Sequence, residues 1–189
     1  NFRMDIYPEY KANRPQLEQH IKDRLNYIAG YAIEEGAVSS HGWEADDQVR
    51  AWAWEAQQDD LHWIIAGIDK DLLQIPGTHF NYGGTEKKPL TEDQKWNFID
   101  QDEGDLRFVC QLLTGDRTDN IIGIHQCGPV KAGKAMNGLS SRKERMSKVI
   151  EMYKDFFKED WEKQLVLNCH MIYMRRWPDD AFDYKEWLK

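Results

Sequence analysis

Apolar positions along the chain fall into a few spacings that predict helices around a short strand. Leu17, Ile21, Leu25 and Ile28 recur at near-helical intervals and predict an amphipathic helix over 17–35, followed by a connection over 36–42. From Glu44 onward, Val49, Trp52, Ala53 and Ala56 stand at i, i+3, i+4 and i+7, one apolar helical face. The run from Leu61 through Trp63, Ile64, Ile65 and Ala66 to Ile68 is short and apolar, the pattern of a strand buried in a parallel sheet. Asp69-Lys70-Asp71 follows directly, and Leu72-Leu73-Gln74-Ile75 predicts a short helix stopped by Pro76-Gly77.

Further on, 81–89 is polar and contains glycine, which predicts a surface hairpin or loop. Residues 106–113 predict a helix, 115–128 a turn-rich stretch, 130–136 a small-residue helix, and 147–164 another helix. Beyond Pro178 an acidic and aromatic tail (Asp179, Asp180, Phe182, Asp183, Tyr184, Trp187) is expected to pack loosely. No internal repeat interrupts this order. Helix, strand and helix followed by helices alone predict an α/β domain with a helical appendage.

At 189 residues the chain is long enough for one compact domain, and 41% hydrophobic with 31% charged residues excludes disorder across its whole length. No apolar run approaches the roughly 20 residues of a membrane span, and no charged-then-apolar leader opens the sequence. The expectation is a soluble protein with no membrane partner. Three widely spaced cysteines, Cys110, Cys127 and Cys169, are an odd count that fits a reducing cytoplasm. The net charge of −8 argues against a generally positive nucleic-acid binder. Between 120 and 150, however, Lys131, Lys134, Arg142, Lys143, Arg145 and Lys148 face Glu144 alone, so a local basic patch remains available. The chain opens on Asn1, which reads as a fragment or as a start lying upstream.

Three acidic clusters carry the candidate chemistry: Glu44-Ala45-Asp46-Asp47, Asp69-Lys70-Asp71, and Gly115-Asp116-Arg117-Thr118-Asp119-Asn120. Each has a simpler reading taken singly. Acids favour a first helical turn, Asp is a common N-cap, and Gly-Asp-x-x-Asp-Asn is rich in turn formers. Gathered at one sheet edge, the seven carboxylates would repel by about 4 kcal/mol per pair 4 Å apart at an effective dielectric near 20. Divalent cations would be needed to hold them together. Oxygen-only donors suit Mg²⁺ or Mn²⁺, and a pair of such ions serves in-line attack on a phosphodiester. None of the histidines (His20, His41, His62, His79, His125, His170) is spaced as a metal motif, which argues against zinc.

The ordered pieces Asn1-Phe2-Arg3, Tyr10-Lys11-Ala12-Asn13-Arg14-Pro15, Glu44 to Asp47, Gly67 to Leu73, Leu113 to Ile121, and Gly123-Ile124 through Gly128 resemble the flap endonuclease superfamily. The nearest likeness is to the phage-type 5′→3′ exonucleases and the 5′-nuclease domain of DNA polymerase I, over roughly the first 135 residues. The resemblance implies a Rossmann-like (PIN-like) α/β 5′-nuclease fold with a helix–hairpin–helix subdomain. The expected divisions are a catalytic core over 1–104, a DNA-binding hairpin region over 105–150, and a helix with its tail over 151–189. It implies a first metal site at Glu44, Asp46 and Asp47, with Asp47 near both ions, and a second at Asp69, Asp71, Asp116 and Asp119.

By the same resemblance, Lys11 and Arg14 lie on one side of a helix bordering the 5′ strand, with Lys11 facing the scissile phosphate and Arg3 a weaker candidate for that work. Gly123, Gly128, Lys131 and Lys134 belong to a hairpin gripping duplex backbone, where the family often holds a monovalent cation such as K⁺. Gln126 stands where a further hairpin glycine is usual, and Pro129 follows Gly128. The family's opening strand, with a metal-binding Asp, and a second Asp after it lie before the segment where this chain begins. The implied activity is 5′→3′ exonuclease and flap cleavage of nicked or branched DNA, with RNA–DNA hybrid as a further substrate, by a monomer in a bacterial or phage-infected cytoplasm. A non-catalytic DNA-binding module and a PIN-like ribonuclease are the alternatives.

Overall fold

The computed structural model of the protein describes residues 1–40 and 42–189; His41 lies outside them. In chain order come α1 (Phe2–Ile6), α2 (Gln19–Glu34), α3 (Ala45–Gln58), strand β1 (Ile64–Ala66), a 3-10 turn (Lys70–Gln74) and β2 (Gly77–Phe80). The hairpin β3 (Gly84–Thr85) and β4 (Lys88–Pro89), then α4 (Glu92–Lys95) and β5 (Trp96–Ile99), complete the sheet half. The rest is largely helical: α5 (Gln101–Thr114), the short ladder β6 (Gly115–Asp116) and β7 (Ile121–Ile122), α6 (Pro129–Met136), α7 (Arg142–Phe157) and α8 (Trp161–Ile172). This is a helix-rich α/β fold of the PIN-like class.

The main sheet has the order β1-β2-β5, with β1 parallel to β2 and β5 antiparallel to it. Its register places Ile65, His79 and Asn97 side by side, and Ile65 and His79 are buried on that face with Ile99. The opposite face carries Ile64 and Phe98, 57% and 73% exposed. The expected buried strand is therefore a three-residue edge strand, covered on one face only. β2 and β5 carry little periodicity, which hides them in the sequence; Pro76-Gly77 reads as a stop yet Gly77 opens β2.

Two apolar cores form. The larger joins α5, α6, α7 and α8 through Val109, Leu112, Leu113, Ala132, Met146, Val149, Tyr153 and Leu165, all fully excluded from water. The smaller, under the sheet, has Ala53, Ile65, Leu72, Ile75 and Met174. Of the predicted face on α3, Ala53 is buried and Val49 packs beside it while Trp52 is exposed, and the helix also buries Asp47 and Ala51. The predicted helix over 17–35 is present as α2, but none of its residues is buried, and Tyr27, Ile28 and Tyr31 face water.

The single helix expected over 147–164 is instead two. Ser141 caps α7, its hydroxyl accepting from the Glu144 N–H at 3.2 Å, and Lys158, at φ +54°, breaks the run before α8. The tail expected to be loose is anchored. Phe182 and Trp187 pack edge-on against Phe108 with centroids 4.7 and 5.7 Å away, and Tyr184 is buried. Edge-to-face aromatic contacts of this kind add roughly 1 kcal/mol each beyond burial.

A candidate acidic active site and basic hairpin

The three acidic clusters converge. Glu44 caps α3 and Asp46 lies in its first turn; Asp69 caps the turn after β1, accepting from the Asp71 N–H at 2.9 Å. Asp116 ends β6, and its carboxylate accepts from the N–H groups of Thr118 at 2.8 Å and Asp119 at 3.2 Å, which shapes the loop that carries Asp119. Glu44, Asp46, Asp69, Asp71, Asp116 and Asp119 line one cavity of about 530 Å³, with Lys11, Arg14 and Lys70 on its walls.

Lys11 and Arg14 reach this cavity from a chain of turns over 8–14, not from a helix. That segment is stitched to the Asp116 loop: the Lys11 N–H donates to the Asp119 carbonyl at 3.0 Å, and the Asn120 side chain donates to the Glu9 carbonyl at 2.8 Å. Lys11 adopts φ +59°, a left-handed conformation uncommon for a side chain of its size. Its ammonium pairs with Glu44 and stands 3.7 Å from Asp119, while Arg14 pairs with Asp119. Tyr10, which the sequence reading passed over, is buried beneath them. Its hydroxyl lies 2.8 Å from Glu44 Oε2 and 3.0 Å from Asp119 Oδ2, joining the first and third clusters. Only its place beside Lys11 could have drawn notice to it.

Charge in the cavity is unevenly balanced. Burial, reinforced by repulsion from Asp69, Glu44 and Asp47, pushes the Asp46 carboxyl up to about 6. Burial also raises Asp71, with Lys70 opposing it and Asp69 and Asp116 adding to it. Burial acts the same way on Glu44, but hydrogen bonds from Lys11 and Tyr10 and the charge of Arg3 outweigh it and hold Glu44 below the usual carboxylate range. No described histidine lines the cavity. A donor set of carboxylate oxygens, the Asp46 carboxyl among them raised by burial and by its acidic neighbours, fits a hard divalent cation. Even so, no three acidic, histidine or cysteine side chains among the described residues stand close enough together to grip an ion as they are.

Asp47 is the exception among the seven. It is fully buried, turned away from the cavity, and clasped by Arg3 through Nη1 at 2.6 Å and Nη2 at 2.9 Å; the Arg175 N–H adds a third bond at 3.0 Å. Arg3 is itself 2% exposed and donates further to the carbonyls of Met171 and Tyr173. Neither residue is open to metal or DNA in this arrangement, because each satisfies the other in the interior.

The hairpin region is organised differently. Gly123 packs on the β6 strand: a Cβ there would stand 2.3 Å from the Thr114 carbonyl carbon and 2.4 Å from the Gly115 nitrogen. Its bare backbone therefore serves chain-to-chain packing, whereas Gly128 is exposed with open space around it at the N-cap of α6. Gln126 holds φ +56°, a conformation glycine takes more readily. Lys131 and Lys134 are exposed on α6 and carry no ion pair among the described residues. The basic run beyond them is mostly consumed: Arg142 pairs with Asp105, buried Arg145 with Asp102 at 2.9 Å, and Lys148 with Glu151 at 2.7 Å.

Residues 1–100 match the family described as 5′-3′ exonuclease, N-terminal resolvase-like domain, and the chain belongs to that family. It is 31% identical over 141 residues to DNA polymerase I of Rhizobium leguminosarum, covering 71% of this chain and 14% of that protein. It is 29% identical over 133 residues to a 5′-3′ exonuclease of Buchnera aphidicola subsp. Schizaphis graminum, covering 68% of this chain and 45% of the relative. The chain thus spans less than half the length of either. Among solved structures, the phage T5 5′-exonuclease with bound zinc aligns at TM-score 0.65 and 17% identity, over 90% of this chain and 69% of that one. A complex of the phage T5 flap endonuclease with DNA and metal ions aligns at TM-score 0.62 and 16% identity, with the same coverage. No helix among the described residues is long and apolar enough to cross a membrane.

Proposed function

We propose that this domain hydrolyses DNA phosphodiesters near 5′ ends, as a 5′→3′ exonuclease and structure-selective flap endonuclease acting on nicked or branched duplex, with RNA–DNA hybrid a further substrate. The observation that supports this best is the meeting of three sequence-distant acidic clusters in one cavity walled by Lys11 and Arg14. Glu44 and Asp46 would hold one divalent ion and Asp69, Asp71, Asp116 and Asp119 a second, Mg²⁺ or Mn²⁺ in each case. Such ions supply Lewis acidity that lowers the pKa of water and offsets charge on phosphoryl oxygens.

The chain's own groups do the remainder. Lys11 and Arg14 tie down Glu44 and Asp119 in this arrangement, and an entering phosphate competes for both cations. Once transferred to the phosphate, the Lys11 ammonium offsets the charge that develops there. Tyr10 keeps Glu44 and Asp119 in place while Lys11 changes partner. Asp47 and Arg3 fix the start of α3, and so aim Glu44 and Asp46, without touching substrate. Lys131 and Lys134, with the Gly128 end of α6, would contact duplex phosphates without reading bases. A K⁺ ion at this hairpin, a monomeric state and a cytoplasmic setting complete the reading.

Asp69→Asn and Asp116→Asn should each slow metal-dependent release of short 5′ products by about a hundredfold or more, while DNA binding survives. Wild-type cutting by both variants would remove the acidic cavity from the mechanism. The non-catalytic binding module is favoured by the spread of the carboxylates, which do not yet converge on an ion. Cutting by this chain in Mg²⁺ or Mn²⁺ eliminates it. Cleavage of an RNA strand with a DNA 5′ flap left uncut would favour the ribonuclease reading.

A further inference from the structure

A cavity of about 780 Å³ lies between α3, α5, the start of α7 and the C-terminal tail, and shares no lining residue with the acidic cavity. Its size falls within the roughly 300–1,000 Å³ of small-molecule sites. Most of its charges cancel: Arg142 pairs with Asp105, Arg176 with Asp180 at 2.8 Å, and Lys189 with Glu186 at 2.6 Å. Two cations are left over. Arg50, on α3, is part-buried and has neither an ion pair nor a hydrogen bond among the described residues, and burial holds its guanidinium below its usual pKa. Lys143 stands exposed at the mouth, also unpaired. The uncompensated acid facing them is Asp183, whose carboxylate accepts the Lys185 N–H at 2.9 Å.

A guanidinium carries five donors, and those of part-buried Arg50 are met by no protein group among the described residues, which leaves them free for a ligand. The neighbouring carboxylates, Asp105 and Asp180, are already engaged. A charged partner for Arg50 would then be an anion from outside. Two free cations suit a dianion better than a single carboxylate, and the planar fork of Arg50 suits phosphate oxygens. Phe182 and Trp187, both half-buried and set edge-to-face with each other, line the same cavity and offer apolar contact to a planar ring. We propose that this cavity is a second binding site, taking a phosphate monoester that bears a planar ring, of the nucleoside monophosphate class. The inference does not depend on the nuclease reading.

Calorimetric titration of the 189-residue protein in EDTA, with dAMP, inorganic phosphate and deoxyadenosine as probes, tests it. The expected result is one saturable dAMP site, weaker binding of phosphate, and the weakest binding of deoxyadenosine. Arg50→Gln should weaken dAMP by about tenfold or more, and Lys143→Gln by a few-fold, while Asp116→Asn leaves it unchanged. Absence of dAMP binding at millimolar concentration, deoxyadenosine binding as tightly as dAMP, or loss of binding in Asp116→Asn overturns the proposal. Should Arg50→Gln fail to fold, the exposed Lys143 decides the matter: dAMP affinity unchanged in Lys143→Gln overturns it.

Discussion

The acidic cavity and the basic stretch over 131–148 treat charge in opposite ways. In the cavity, Asp46 is crowded by Asp69, Glu44 and Asp47 until its carboxyl rises to about 6. Along α7, by contrast, Arg142, Arg145 and Lys148 each meet an acid, leaving Lys131, Lys134 and Lys143 unpaired. Free charge, which a ligand can use, is thus concentrated in a few residues of each region, and a run of like charges in the sequence overstates it in one and understates it in the other. Asp47 is where the two treatments meet: an acid within the acidic cluster that is neutralised as fully as Arg145.

Breaking that exception should have the largest effect. Asp47→Ala leaves Arg3 buried without its partner and should cost about 3–5 kcal/mol in urea unfolding, whereas the paired change Arg3→Met with Asp47→Leu should recover much of it. An Asp47→Ala protein as stable as wild type would mean the clasp is not structural. The basic side is sharpened by salt. Lys131→Gln and Lys134→Gln should each reduce the slope of log K against log salt for duplex DNA by about 1, and Arg142→Gln and Lys148→Gln should leave it alone. Equal slopes across all four variants would show that the internal pairs open on binding.

The smallest effect tests the crowding itself. Asp46 has a folded carboxyl near 6 against an ordinary 3.8, so the folded state holds that proton more tightly. The stability this contributes is complete below about pH 4 and is lost as pH rises through 6. In EDTA, Asp46→Asn should therefore be more stable than wild type by about 1 kcal/mol above neutral pH, after allowing for solvent screening, with the gain shrinking on acidification. A gain independent of pH would place its origin elsewhere.

Much of the site could be read from the chain because each acidic cluster is local: Glu44 to Asp47, Asp69 to Asp71 and Asp116 to Asp119 each announce a turn or cap. α3, α5 and the small hairpin near Gly84 were legible for the same reason. What local pattern does not carry is long-range pairing. Arg3 finds Asp47 across 44 positions and Tyr10 finds Asp119 across 109, and no periodicity records either. β2 and β5 escaped because each is four residues long, with His79 on the buried face and apolar Trp96 and Phe98 on the open one, so the alternation of a one-sided sheet never develops. The tail was misjudged because Phe182, Tyr184 and Trp187 read as scattered aromatics until Phe108 supplies the surface they share.

The bare crossing of Gly123 over Thr114 and Gly115 has one more consequence. It ties the Asp116 turn to the lead-in of α6, so the acidic cavity and the exposed lysines of α6 are held in one register. If the proposed function holds, the span between duplex contact and incision would be gauged by this crossing, and product length would depend on two glycines that touch neither end.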